Sequence, residues 1–89
     1  MANLRSQIKR NRQTITVTAR NRSLRSEMRT RTRRALEVAA SGDTDAAAAA
    51  LRAAKRHIDI ASSRGILHRN TAARHKSRLE HRVRQLLSA

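Results

Sequence analysis

The side chains of this chain that could make or break bonds are four histidines, a scatter of serines and six carboxylates, and their spacing argues against metal and catalytic chemistry alike. His68, His75 and His81 stand seven and six residues apart, so on a helix His75 and His81 diverge by about 120°. His57 lies further back, and no cysteine or clustered carboxylate completes a tetrahedral donor set. Catalysis lacks its parts as well: there is no Gly-rich phosphate loop and no nucleophile motif, and 89 residues offer little scaffold for a concave site. The expectation is a binding protein, not an enzyme, with no metal and no cofactor.

What the chain holds in abundance is guanidinium. Eighteen Arg and three Lys stand against six acids, a formal net charge of +15. The excess is segregated: residues 1–34 hold eleven bases and one acid (Glu27), residues 35–63 hold three bases and four acids, and residues 64–89 hold seven bases and one acid. Arg5, Lys9 and Arg12 align at i, i+4 and i+7, with Arg10 and Arg20 in the same stretch, and Arg22, Arg25, Arg29 and Arg33 form a second stripe. A charge stripe is ordinarily a solvated face with acids interspersed among the bases. With a single acid in 34 residues, these charges repel one another unless an external anion neutralises them. The preference for arginine over lysine favours phosphate, because the planar guanidinium makes paired hydrogen bonds to its oxygens.

A second basic cluster, His68, Arg69, Asn70, Arg74, His75, Lys76 and Arg78, surrounds a turn and a helix start. Free N–H groups at that start, flanked by Arg69 and Asn70, would form a phosphate pocket. The plainer reading is that Asn70 or Thr71 caps the helix, and both can hold at once because they use different groups.

These groups need a frame, and the pattern makes it helical. Proline is absent, and the only glycines, Gly42 and Gly65, each read as a left-handed cap that ends a helix. Three helices follow, at about 4–40, 45–63 and 68–87, with Asp43, Thr44 and Asp45 placed to accept from the free N–H groups of the second. Leu24, Met28, Ala35 and Ala39 share a narrow arc of the first helix, and Ala47, Ala50, Leu51, Ala54, Ile58 and Ala61 mark a face of the second. Ala72, Leu79, Val83 and Leu86 do so for the third. The expected fold is all-α: a three-helix antiparallel bundle forming a single domain over residues 1–89, with an overlong basic first helix extending beyond it.

The overhang follows from length, since 37 residues at about 1.5 Å each make roughly 55 Å against roughly 30 Å for the second helix. Its apolar residues Leu4, Ile8, Ile15 and Val17 have nothing in the chain to cover them. Thr14 to Thr18 alternates polar with apolar and is β-branched throughout, which by pattern reads as a strand, but a lone strand has no partner. A helix that is loose when free and ordered when bound is preferred. Arg31 falls inside the apolar arc and is expected to lay its stem over the core with its guanidinium in water. Leu, Ile and Val total 16 of 89 residues and no aromatic is present, so the core is thin and a partner is expected to complete the fold. No apolar run approaches the roughly 18–20 residues that cross a bilayer, and Met1 to Ser6 offers no apolar signal segment. A cytoplasmic protein that does not bind membranes, and no homo-oligomer, are expected.

The polyanion is narrowed by what is missing. Membrane-surface helices carry Trp, Phe or a broad Leu face, and base-stacking readers of single strands carry aromatics. DNA readers place a short recognition helix in a groove, whereas a long helix that is basic around much of its circumference suits a crevice between several RNA backbones. A histone-like DNA-compacting protein is the alternative, and an amphipathic antibacterial peptide a third reading.

The residues themselves also resemble a family. Met1-Ala2-Asn3-Leu4-Arg5-Ser6, the pairs Lys9-Arg10 and Arg29-Thr30, Ser41-Gly42-Asp43, and above all Gly65-Ile66-Leu67-His68-Arg69-Asn70-Thr71-Ala72-Ala73-Arg74-His75-Lys76-Ser77-Arg78-Leu79 resemble the bacterial small-subunit ribosomal protein twenty family, over essentially the whole chain. That resemblance implies a three-helix bundle with a long first helix, a structural constituent of the small ribosomal subunit that binds its ribosomal RNA directly and early in assembly. It places Lys9, Arg10, Arg22, Arg25, Arg29, His68, Arg69, Asn70, Arg74, His75 and Lys76 on matching positions facing RNA. The chain departs from the family pattern at Thr14 to Thr18 and at Arg31-Thr32.

Overall fold

The three helices of the computed structural model are α1 (Ala2–Ala40), α2 (Thr44–Ser63) and α3 (Arg69–Ser88), and no strand occurs among the described residues. These are residues 2–88, with side chains described for 4–88; Met1, which opens the N-terminal motif, and Ala89 lie outside them. Both breaks fall at glycine. Gly42 has φ +86° and Gly65 φ +75°, conformations that a Cβ penalises. At the end of α2 the Gly65 N–H donates to Ser62 O at 3.1 Å and the Ile66 N–H to Ala61 O at 2.9 Å, the paired bonds of a Schellman cap. Gly42 makes the corresponding inner bond to Ala39 O at 3.1 Å.

The starts of α2 and α3 are each satisfied by a side chain. The Asp43 carboxylate accepts from the Ala46 N–H at 3.1 Å, which sets the start of α2 at Thr44. At α3 the capping residue is His68, not Asn70 or Thr71: its Nδ1 accepts from the Asn70 N–H at 3.1 Å and its carbonyl from the Ala72 N–H at 2.9 Å. An imidazole replaces the shorter side chains because the chain leaves the Schellman turn with His68 already beside the first free N–H groups.

The core is small in both senses. Ala35, Ala39, Ala47 and Ala54 have no exposed surface, Ile58, Ala61, Ala72 and Val83 almost none, and Met28 and Leu79 little. Leu24, Leu51 and Leu86 from the three apolar arcs, with Ala50, are half-buried at the margin. Methyl groups at the contact let the helix axes approach closely, so a core without aromatic rings still excludes water. No charged or polar residue is buried among the described residues. Arg31, inside the apolar arc, is half-buried and turns its guanidinium onto Glu27 at 3.2 Å.

Burial on α1 begins only near Asn21 and Leu24; residues 4–20 are all exposed, including Leu4, Ile8, Ile15 and Val17 at 45–68%. The molecule accordingly measures 65 × 22 × 14 Å, with a radius of gyration of 17.7 Å against about 12 Å for a compact chain of this length. Thr14 to Thr18 is helical despite its strand-like pattern. The Thr14 hydroxyl donates to Arg10 O at 2.9 Å and the Thr16 hydroxyl to Arg12 O at 3.0 Å, so both satisfy themselves against the preceding turn.

Candidate nucleic-acid interface

The long helix spreads its cations over two regions. Arg5, Lys9, Arg10, Arg12 and Arg20 are exposed on the overhang, with no acid among residues 4–20. Arg22, Arg25 and Arg29 continue along the bundle and, with Thr18, Asn21 and Ser26, border a polar concavity on α1. There hydroxyl and amide donors alternate with guanidinium groups, the mixture that a phosphodiester backbone accepts from.

Arg33 joins Arg25 and Arg29 against His75 of α3, so two stripes that are distant in sequence meet along one α1–α3 seam. Arg78 continues the α3 side, and so does Arg82, which sequence reasoning missed. Its signal was present: Arg82 stands seven residues after His75 and four after Arg78, hence on the same helical face. Arg69 and Arg74 are exposed near the start of α3 and do not line that seam. The anticipated pocket of free N–H groups is diminished, because His68 Nδ1 already occupies the Asn70 N–H.

Four of the six carboxylates, Glu27, Glu37, Asp59 and Glu80, pair with bases of the chain itself. Glu27 takes Arg31 at 3.2 Å and lies 3.9 Å from His57 Nε2, so the sole acid of the basic segment faces α2. Glu37 stands 4.0 Å from Arg33. Between α2 and α3 two reciprocal pairs form: Lys55 donates to Glu80 at 3.0 Å, and Lys76 meets Asp59 at 2.8 Å. Lys55 and Asp59 are one turn apart on α2, as Lys76 and Glu80 are on α3, so each antiparallel helix offers the other a base and an acid in register. Lys76 is therefore half-buried and engaged between helices, whereas Arg31 and Arg33 reach acids only along their own helix. Glu80 also accepts from Arg84 at 2.9 Å. The hydrogen bond and charge of Lys55, then the charge of Arg84, hold its carboxyl below the ordinary value of 4.5.

A chain with two base–acid pairs across its α2–α3 contact and a 39-residue helix edged with arginine matches one known protein family over nearly its whole length. The model of the ribosomal protein S20 family covers residues 2–84. The chain belongs to that family. It is 44% identical to the small ribosomal subunit protein bS20 of Streptomyces avermitilis over 86 residues, 97% of this chain and 98% of that one. Identity to bS20 of Chelativorans sp. is 49% with the same coverage of both chains, and to that of Stenotrophomonas maltophilia R551-3 it is 42% over the full length of both. The S20 fold here contains no helix long and apolar enough to cross a membrane among the described residues. No group of three or more possible metal ligands occurs among them either.

Proposed function

We propose that this S20-family chain is a structural, non-catalytic constituent of the small ribosomal subunit that binds small-subunit ribosomal RNA directly, in the cytoplasm, and stabilises its fold during assembly. The observation that carries the reading is the exposed cationic surface running from Arg5 to Arg33 with only Glu27 among its acids, and that acid turned to the bundle. Contacts to phosphate from Arg5, Lys9, Arg10, Arg12, Arg20, Arg22, Arg25, Arg29 and Arg33 replace counterions. Those from Arg69, Arg74 and Arg78 add a second row. Lys76 belongs with them only if RNA competes successfully with Asp59.

Each neutralised phosphate contributes about 0.7–0.9 to the salt slope. Ten contacts lower affinity for folded small-subunit ribosomal RNA by about four to five decades between about 50 and 200 mM salt. Filter binding across that range tests this, and an affinity independent of salt would refute it. Duplex DNA competing equally with the folded RNA at physiological salt would favour a DNA-compacting protein instead.

A further inference from the structure

The seam between α1 and α3 has a floor that phosphate cannot use. Its two adjoining concavities, of about 630 and 220 Å³, share Thr32, Leu36 and His75 and so form one groove. Met28, Leu36 and Leu67 lie at its base, buried or half-buried, with Leu79 further along. Arg25, Arg29 and Arg33 stand exposed on one lip, and His75, Arg78 and Arg82 on the other. No acid lines either part.

An occupant must match both chemistries. Its flanks must be anionic, because two lips of guanidinium border the groove. Its centre must be apolar and thin enough to enter between two helices. A paired duplex presents only sugar and phosphate to such lips and leaves the floor empty. An unpaired nucleotide satisfies both, with an apolar base face at the centre and a phosphate on either side. The volume falls in the range of about 300–1,000 Å³ typical of small-ligand clefts. Resting on the RNA-binding reading above, we propose that this seam receives one unpaired nucleotide of the bound RNA. Its base packs on Met28, Leu36 and Leu67, and its flanking phosphates lie on the arginines of the two lips. The protein thereby holds a splayed base without an aromatic ring.

Met28 supplies the probe, being one of two methionines in the chain. With methyl-labelled methionine, adenosine 5′-monophosphate is expected to move the Met28 methyl resonance upfield through the base's ring current. Ribose 5-phosphate and inorganic phosphate are expected to leave it in place. In parallel, Thr32→Leu fills the middle of the groove without removing a charge or a core contact. It is expected to weaken ribosomal RNA binding about fivefold, the low end of what one base stacked on an aromatic ring contributes, with the salt slope unchanged. The near-isosteric Thr32→Val leaves the groove open and retains affinity. Equal effects of the three small probes, or full affinity in Thr32→Leu, would overturn the proposal while leaving salt-dependent RNA binding intact. So would a larger Met28 shift from an acidic, leucine-containing peptide than from the nucleotide. Loss of ribosomal RNA binding by the unaltered protein would overturn the underlying reading and the proposal together. The resonance measurement uses the unaltered chain, so it decides the matter even if Thr32→Leu does not fold.

Discussion

Alanine is the residue on which this bundle depends. Ala35, Ala39, Ala47 and Ala54 have no exposed surface, and where other small domains fill a core with rings, this one brings helices together over methyl groups. Such a contact is intolerant of size, since extra methylenes in a packed interior force backbones apart at about 1–3 kcal/mol. Ala54→Leu should therefore lower the stability of the free protein by that amount in urea unfolding, although leucine is the more hydrophobic residue. Ala48→Leu, on the exposed face of the same helix, should change it by less than about 0.5 kcal/mol. An equal loss at both positions would show that helix propensity, not close approach, decides. These alanines were legible in the sequence because their three-and-four spacing survives any choice of neighbour. The His68 cap was not, because imidazole is an uncommon acceptor at a helix start and only the path out of the Gly65 turn brings its Nδ1 to the Asn70 N–H.

At the scale of elements, the α2–α3 contact is held in register by Lys55 with Glu80 and Lys76 with Asp59. Pairs still partly open to water contribute little each, and their value here is to select one alignment of two alanine-rich faces that could otherwise slip. Glu80 gives that contact a pH dependence. Its folded pKa lies below the ordinary 4.5, so its contribution is complete above that value and is lost as pH falls through the lower folded one. Glu80→Gln should be less stable than the unaltered protein at neutral pH, and thermal melts of the two should converge as pH falls below the ordinary 4.5. A constant difference over that fall would mean that the pair's charge is irrelevant. None of this was legible beforehand, because a pair between residues 25 apart in sequence depends on the helix register, which apolar spacing alone leaves open. The same holds for the meeting of Arg25, Arg29 and Arg33 with His75 and Arg78: each stripe could be read on its own helix, but their juxtaposition could not. Thr14 to Thr18 misleads in the opposite direction. Its alternation is a genuine strand pattern, overridden because helix on both sides removes the nucleation cost and the hydroxyls at 14 and 16 bond back to the preceding turn.

The whole molecule is two functional parts on one helix: a bundle that begins near Leu24 and an overhang of residues 4–20 that buries nothing. Helical residues without tertiary contacts are held by their own hydrogen bonds alone, and short isolated helices are marginal in water. We propose on that ground that this stretch is loose in the free protein and gains order from its partner, which the circular dichroism of the free chain tests: a fully helical value would overturn it. The separation allows stability and binding to be altered independently. A chain lacking residues 2–20 loses Arg5, Lys9, Arg10, Arg12 and Arg20 but, among the described residues, nothing of the core, so its melting temperature should stay close to that of the full chain. If each of the five reaches a phosphate, the salt slope for ribosomal RNA should fall by about 3.5–4.5. If the overhang serves only as a diffuse positive arm, the slope should fall by much less while affinity at low salt still drops. A fall in melting temperature would mean that the overhang supports the bundle, which its full exposure argues against. Measuring both quantities on the same shortened chain separates a helix that grips RNA from one that merely attracts it.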